Sequence, residues 1–331
     1  MKYRRLGRSS LEVSEIGFGA WSIGTNWWGQ VSEENSERML KRAFSLGINF
    51  FDTADTYGDG QSERFIAKVL KQKRDKIVLS TKFGYDIYAK HRRKGHEERK
   101  QNFTPEFIRF AFQKSLERLG TDYVDLYQLH NPRMETMTDV RVWETLEDLK
   151  NEGKIRYYGV ALGPAIGWLN EGTVAMKTTN SVSLQTVYNM LEQEPGREFF
   201  KLARERGIGV LVRVPHASGL LDGRFSPTTH FDGNDHRSFR MREWLLKGYE
   251  KLDELKFLTE GKRRTLAQIA IKFALSEKSV SSVLPTITNL SDLEEYAKSS
   301  DIEDLNVGEI SKINDFYENT FKVSVPSLIK Q

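Results

Sequence analysis

Four polar side chains follow apolar, strand-like runs in an order that suits the reduction of a carbonyl group. They are Asp52 in INFFDTAD, Tyr57 in the loop that follows, Lys82 in KIVLSTKFG and His130 in VDLYQLH. In a β/α barrel, side chains at the C-terminal ends of different strands converge on one mouth. We therefore expect a carboxylate, a phenol, an ammonium and an imidazole to meet there.

Together these four groups would deliver a proton to a bound substrate. The Lys82 ammonium would favour the phenolate and lower the pKa of Tyr57 from its ordinary value of about 10, and Asp52 would hold the ammonium charged and in place. Tyr57 would then act as a general acid near neutral pH while His130 orients the carbonyl oxygen. A single lysine or histidine after a strand is more often structural, so the prediction rests on the combination.

The elements that must position these residues alternate between short apolar runs and longer amphipathic stretches, a pattern typical of βαβ units and a parallel sheet. Eight strands are predicted, over 14–20, 48–54, 76–84, 123–130, 155–162, 181–188, 207–214 and 279–287. Helices are predicted over 32–47, 104–120 and 136–154. Thr104 and Pro105 suit the start of the second helix, and Gly120 suits its end.

Eight strands with their helices favour a (β/α)8 TIM barrel, within a single domain over 1–331. A doubly wound fold would open with G-x-G-x-x-G after its first strand, and GFGAWSIG (17–24) fails that spacing. The N-terminal stretch 1–17 indicates a β-hairpin that closes the bottom of the barrel. Extra C-terminal helices are predicted over 238–258 and 307–320.

Composition narrows the function classes. The 331 residues include 50 basic and 46 acidic side chains, a net charge of +4 that does not indicate nucleic acid as a main partner. No run approaches the ~18 apolar residues of a membrane span, and MKYRRLGRSS lacks a signal-peptide core. We therefore expect no membrane association and a cytoplasmic location. The chain has no cysteine, and we expect no metal site.

The motifs FDTADTYGDGQSE, STKFG and DYVDLYQLHNP resemble those of the aldo-keto reductase superfamily, and the likeness covers nearly the whole chain. The resemblance implies a (β/α)8 barrel that binds NADP or NAD in an extended form across its mouth. It also implies an NAD(P)-dependent oxidoreductase that interconverts carbonyls (aldehydes, ketones or sugars) and alcohols. Tyr57 would be the proton donor, Asp52 and Lys82 its tuners, and His130 the residue that orients the substrate.

The same resemblance assigns the remaining site residues. Cofactor contacts are implied for Gly19, Ala20, Trp21, Asp52, Gln185, Arg213, Pro215, Ser218, Gly219, Leu220, Asp222, Thr286, Thr288, Asp292 and Tyr296. Substrate contacts are implied for Trp21, Tyr57, Tyr85 and His130. Within this set, Gln185 corresponds to the family residue that binds the nicotinamide carboxamide, and Ser218 to Asp222 to the loop over the pyrophosphate.

Three positions depart from the family pattern. Ala161 and Leu162 replace the Ser-Asn pair that grips the carboxamide, and Arg213 replaces the aromatic residue that stacks on nicotinamide. The segment after the last strand lacks the basic residues that clamp the 2′-phosphate of NADP. Asp292 in that segment would repel a 2′-phosphate and could accept hydrogen bonds from a free ribose. The sequence therefore leaves the choice between NADP and NAD open.

Two other functions are compatible with the sequence. A Schiff-base lyase could use Lys82 as its nucleophile, and a barrel of this kind could serve as a non-catalytic nucleotide-sensing or scaffold protein. The substrate and the oligomeric state are not determined. Trp27 and Trp28 indicate an aromatic pocket wall, while the charged stretch 91–100 is interpreted as a solvated loop, with the substrate entrance as the alternative.

Overall fold

Eight parallel strands form a nearly closed barrel. The computed structural model describes residues 1–25, 27–89, 98–163, 168–231, 233, 235–239 and 242–321. The strands are β3 (Phe18–Gly19), β4 (Phe50–Asp52), β5 (Val78–Phe83), β6 (Val124–His130), β7 (Ile155–Ala161), β8 (Ser183–Val187), β9 (Gly209–Arg213) and β10 (Val280–Leu284). Each pairs with its neighbour along the chain. Isolated bridges from Ile16 to Val283 and from Gly19 to Thr286 join the two ends. The predicted barrel and its eight strands are confirmed.

An N-terminal hairpin packs against the barrel interior. It consists of the antiparallel strands β1 (Tyr3–Arg5) and β2 (Glu12–Ser14). Leu6 and Leu11 between them are buried in a cluster with Phe50, Leu126 and Leu211 of the barrel strands. Burying these apolar side chains removes them from water and fixes the hairpin to the barrel. The predicted hairpin is thus confirmed.

Twelve helices are described around the barrel. They are α1 (Trp21–Gly24), α2 (Glu33–Ser45), α3 (Gln61–Leu70), α4 (Pro105–Leu119), α5 (Met134–Thr138), α6 (Val140–Asn151), α7 (Leu169–Thr178), α8 (Gly196–Arg206), α9 (Arg242–Leu252), α10 (Leu266–Leu275), α11 (Leu290–Lys298) and α12 (Val307–Phe316). Helix α4 begins and ends as predicted, because the Thr104 side chain caps Phe107 N and Gly120 adopts a left-handed conformation.

The single helix predicted over 136–154 is wrong. The chain there forms α5 and α6, with a break at Asp139. The Asp139 carboxylate accepts a hydrogen bond from Arg141 N at 3.0 Å, which starts a new helix instead of continuing the old one. The predicted C-terminal helices are present as α9, followed by a 3-10 segment over Asp253–Leu258, and as α12. None of the helices described is long and apolar enough to cross a membrane.

Candidate active site

The four predicted catalytic residues meet at one end of the barrel. Asp52 ends β4, Lys82 lies near the end of β5 and His130 ends β6, while Tyr57 comes from the loop between β4 and α3. Lys82 Nζ donates to Asp52 Oδ1, to Thr53 O at 2.8 Å and to Tyr57 Oη at 3.3 Å. The Tyr57 and His130 rings lie edge to face with centroids 5.8 Å apart. All four side chains are buried.

Burial decides the direction of the phenol's pKa. Removing the Tyr57 phenolate from water raises its pKa, and the nearby Lys82 ammonium lowers it by less, so the pKa lies above its ordinary value. The lowered pKa expected from the sequence is therefore wrong, since the ammonium only offsets part of the cost of burial. Tyr57 is consequently a protonated phenol over the neutral pH range.

The neighbouring groups have fixed charge states for the same reason. Burial lowers the pKa of Lys82, but Asp52 and then Tyr57 outweigh burial, so the net shift is upward and the ammonium persists. Burial lowers the pKa of His130 well below its usual range, and the positive charges of Lys82 and Arg213 act in the same direction. His130 is therefore a neutral imidazole, able to donate one hydrogen bond and accept another.

Asp52 is held by the predicted residue Gln185 and by Ser80 and Gln128, which the sequence analysis missed. Its Oδ2 accepts hydrogen bonds from Ser80 Oγ and Gln128 Nε2, both at 3.0 Å, and from Gln185 Nε2 at 3.2 Å. Ser80 and Gln128 each lie two residues before a predicted catalytic residue on the same strand, and alternate strand residues share a face. That spacing could have identified both.

Of the four predicted catalytic residues, Asp52, Tyr57 and His130 line a cavity of about 560 Å³, called the main cavity below. The other predicted site residues that line it are Gly19, Trp21, Tyr85, Gln185, Arg213, Ser218 and Thr286. Ala161 and Leu162, which replace the Ser-Asn pair expected from the resemblance, also line the main cavity. Ala20 and Leu220 are buried and do not line it.

Aromatic rings form much of the main cavity wall. Trp21 lies edge to face against both Tyr57 and Trp27, with centroids 5.0 and 5.1 Å apart. Tyr85 meets the His130 ring in the same way at 5.2 Å. Trp168, which the sequence analysis missed, also lines the cavity. The expected aromatic pocket is thus present around the Tyr57 phenol.

A polar rim completes the wall on the side of Tyr85. The Tyr85 hydroxyl donates to Glu98 Oε1 and accepts from Asn131 Nδ2, both at 2.8 Å, and Arg133 pairs with Glu98 at 2.9 Å. Of the charged stretch at 91–100, residues 91–97 lie outside the described residues, whereas Glu98 and Arg99 line the cavity. Asn131 and Arg133 follow His130 by one and three residues, a position that could have indicated them.

A second cavity of about 170 Å³, the side cavity, adjoins the first. The two cavities share the lining residues Trp28, Val214, Ser218 and Thr286. The predicted residues that line the side cavity but not the main cavity are Pro215, Gly219, Asp222 and Thr288. Gly219 has φ +99°, and a Cβ at this position would lie 2.6 Å from the Phe225 ring. Only glycine therefore fits this turn of the loop.

The side cavity contains a basic residue that the sequence analysis missed. Arg224, half exposed, donates to both carboxylate oxygens of Asp292 at 2.9 Å, to Asp222 Oδ2 at 2.6 Å and to Tyr296 Oη at 3.0 Å. Asp292 and Tyr296 do not line either cavity themselves but hold Arg224, which does. The segment 285–297 after the last strand contains no lysine or arginine, and the loop after β9 supplies Arg224 instead.

The two cavities adjoin one another, with the Tyr57 phenol on the wall of the main cavity and Arg224 on the wall of the side cavity. Within the described part of the chain, Trp21 Nε1, His130 Nδ1 and Arg213 Nε are buried without a hydrogen-bond partner. Buried polar atoms normally have a hydrogen-bond partner. These three atoms belong to residues that line the main cavity, so they indicate a polar ligand there.

Comparisons with known proteins point to one group of enzymes. The model of the Aldo/keto reductase family matches residues 15–318. The uncharacterized oxidoreductase YqkF of Bacillus subtilis is 30% identical over 318 residues, which cover 95% of each chain. L-galactose dehydrogenase of Arabidopsis thaliana is 29% identical over 346 residues, covering 100% of this chain and 99% of its own. The holo form of the aldo-keto reductase AKR11C1 from Bacillus halodurans has 33% identity and a TM-score of 0.77, with 95% of this chain and 96% of its own covered.

Proposed function

This chain belongs to the aldo/keto reductase family, and we propose that Tyr57 is the proton donor of an NAD(P)-dependent reduction of small aldehydes, ketones or sugars to alcohols. The observation that carries the proposal is the contact of the Tyr57 hydroxyl with the Lys82 ammonium, at 3.3 Å, on the wall of a cavity wide enough for a small substrate.

The geometry supports a defined role for each side chain. A bound nicotinamide would supply the hydride to the carbonyl carbon. Tyr57, protonated at neutral pH, donates its proton to the carbonyl oxygen, and Lys82 stabilises the phenolate that remains. His130 is neutral and can donate a hydrogen bond to the same oxygen without competing for the proton. Asp52 keeps the ammonium in position.

The cofactor would occupy the trough formed by the two cavities. We propose that Gln185 and Arg213 lie beside the nicotinamide, and that Ser218 and Gly219 lie beside the pyrophosphate. The left-handed turn at Ser218 and Gly219 supports this, because such turns direct backbone N–H groups toward an anion. Arg224 would then lie at the adenosine end.

The Schiff-base lyase is disfavoured by the state of Lys82. Nucleophilic attack requires the neutral amine. The Lys82 ammonium is buried, donates three hydrogen bonds and has a raised pKa. A non-catalytic sensor of nucleotides would not need the Tyr57 hydroxyl beside an ammonium. We include sugars among the substrates because one relative is named L-galactose dehydrogenase and because the rim at Glu98 and Asn131 can bind hydroxyl groups.

The experiment that tests the proposal replaces Tyr57 by phenylalanine. We expect kcat for a generic aldehyde to fall by roughly 10²–10⁴-fold, because the proton is transferred in the transition state. The affinity for NADPH and NADH, titrated in parallel by protein fluorescence, should stay within about threefold of wild type.

Tyr85→Phe is the matched control, since this phenol lines the same cavity without contacting Lys82. It should keep most of its kcat. A Tyr57→Phe variant with more than about half of the wild-type kcat would rule out Tyr57 as the acid. Wild-type protein that binds a nicotinamide cofactor but turns over no carbonyl compound would instead favour the nucleotide sensor.

A further inference from the structure

Arg213 places a positive charge in the mouth of the barrel. It is the last residue of β9, lines the main cavity and is partly buried. Its Nη2 donates to Leu162 O at 2.8 Å, which directs the guanidinium toward the end of β7, while its Nε is buried without a hydrogen-bond partner. Burial lowers the pKa of this guanidinium, but arginine starts from a pKa above 12 and keeps its charge at neutral pH.

Arg213 differs from the other cationic side chains of the mouth, each of which forms an ion pair with a carboxylate. Lys82 is paired with Asp52, Arg133 with Glu98 and Arg99 with Asp59. Among the described residues, no carboxylate forms an ion pair with Arg213.

The carboxylates of Asp52 and Glu192 line the same cavity and attract this guanidinium without forming an ion pair with it. Asp52 is paired with Lys82, and Glu192 Oε2 accepts a hydrogen bond from Asn189 Nδ2 at 2.8 Å. The field of Arg213 consequently extends into the mouth, where it lowers the pKa of His130.

We propose that Arg213 sets the redox balance of the bound cofactor, because its charge makes the mouth bind reduced nicotinamide in preference to oxidised nicotinamide. This rests on the proposed function. In carbonyl reduction, the hydride moves from the nicotinamide to the carbonyl carbon and the proton moves from Tyr57 to the oxygen. The nicotinamide ring, neutral before this step, carries one positive charge after it.

A second cation beside Arg213 is unfavourable in a partly buried site, where charges are weakly screened. The side chains of the mouth offer little compensation, since Ala161, Leu162 and Gln185 are uncharged. The Asp52 carboxylate, which also lines the cavity, is already paired with Lys82. A neutral aromatic residue at position 213 would not discriminate in this way. Arg213 thus assists release of the oxidised cofactor after reduction.

The test measures binding and not turnover. Dissociation constants of NADPH and NADP⁺, and of NADH and NAD⁺, are obtained by titration of protein fluorescence for wild type, Arg213→Gln and Arg213→Lys. The quantity compared is the dissociation constant of the oxidised cofactor divided by that of the reduced cofactor. We expect this ratio to fall by about tenfold in Arg213→Gln, which corresponds to about 30 mV for a two-electron couple. Arg213→Lys keeps the charge and should stay within about threefold of the wild-type ratio.

Arg133→Gln is the matched control, because it removes a cation from the same cavity that is already paired with Glu98. Its ratio should stay within about threefold of the wild-type ratio, because the Glu98 carboxylate that it leaves is half-exposed and screened by water. Arg213→Met, which also lacks the hydrogen bond to Leu162 O, serves as a second neutral variant if Arg213→Gln does not fold.

An unchanged ratio in a folded neutral variant overturns the proposal, even if both affinities fall together, because the residue would then act on both forms through packing. Wild type that binds neither form would overturn the proposed function instead, and this proposal with it. The two failures are therefore distinguishable in one set of titrations.

Discussion

Lys82 is the residue on which the proposed proton transfer depends. It contacts the carboxylate of Asp52, the backbone of Thr53 and the hydroxyl of Tyr57, and all of these groups are buried. The residue types were predictable from the sequence, since each follows a strand. The direction of the phenol's pKa was not, because it depends on how much water burial removes, and a sequence does not contain that quantity.

Replacing Lys82 by methionine should raise the pKa of Tyr57 further, since the ammonium is the largest of the effects that lower it. Alcohol oxidation needs the phenolate as a base, so its rate rises as pH increases through the pKa of Tyr57. We expect that rise to move to higher pH in the variant, with kcat at pH 8 reduced by at least about tenfold. The pH profile of kcat for oxidation is the measurement.

Lys82→Arg is the control, because it keeps a positive charge beside the phenol and should move the profile less. Circular dichroism of each variant is needed, since methionine leaves Asp52 buried without its counter-ion. Retained activity with an unmoved profile would contradict the coupling. Borohydride treatment of wild type with a carbonyl substrate should leave no adduct on Lys82, and an adduct that Lys82→Met abolishes would favour the lyase.

Elements from different parts of the chain meet at the side cavity. Helix α11 brings Asp292, and the loop after β9 brings Arg224 to it. The sequence near the last strand predicted a site without a basic residue, and this was incomplete because loops reach positions that strand order does not reveal. Strands were easier to predict, since runs such as GVLV in β9 are buried and correspondingly apolar.

The contacts of Arg224 give a sharper prediction for the preference between NADPH and NADH. Two carboxylates, from Asp222 and Asp292, share this one guanidinium, so the cluster is negative overall. Asp292→Asn removes one negative charge and should raise the NADPH/NADH affinity ratio by roughly tenfold, about 1.4 kcal/mol. Arg224→Gln should lower the ratio, because it removes the cation that could bind a 2′-phosphate. Parallel fluorescence titrations measure both.

Asp292→Arg, the substitution that the sequence alone would favour, is less suitable because it would place two guanidinium groups side by side at a buried position. Arg237→Gln is a useful control, since Arg237 lines the side cavity but is paired with Asp235. An unchanged ratio in both Asp292→Asn and Arg224→Gln would place the 2′ position of the cofactor elsewhere.

For the molecule as a whole, the barrel was predictable and its buried polar network was not. Behind the catalytic residues, Glu63 is fully buried and accepts hydrogen bonds from Thr81 Oγ1 at 2.6 Å and from Arg118 Nε at 2.5 Å. Asp55 is also fully buried, but neither of its oxygens has a hydrogen-bond partner among the described residues. Both acids belong to the stretch DTADTYGDGQSE, whose polar composition predicts an exposed loop and the start of a helix. Their burial was therefore not predictable from that stretch.

The unpaired acid should make folding stability depend on pH. Burial, followed by the negative charge of Glu63, raises the pKa of Asp55 well above its usual range. The folded state therefore holds this proton more tightly than the unfolded state does. The stability that Asp55 contributes is present below the unfolded-state pKa, and it is lost as pH rises through the folded-state pKa.

Asp55→Asn removes this dependence, because an amide does not ionise. At pH 4 the variant and wild type should have similar free energies of unfolding, since Asp55 is protonated in the folded state. At pH 8 the variant should be more stable by roughly 1–3 kcal/mol, because ionisation of Asp55 favours the unfolded wild type and an amide cannot ionise. Urea unfolding at pH 4, 6 and 8 measures the difference, and effects of other titrating groups cancel between the two proteins.

Glu63→Gln is the matched control and should destabilise the protein at pH 8, because it breaks an ion pair with Arg118. An Asp55→Asn variant that is less stable than wild type at pH 8 would mean that the carboxylate is charged and bound in the folded protein.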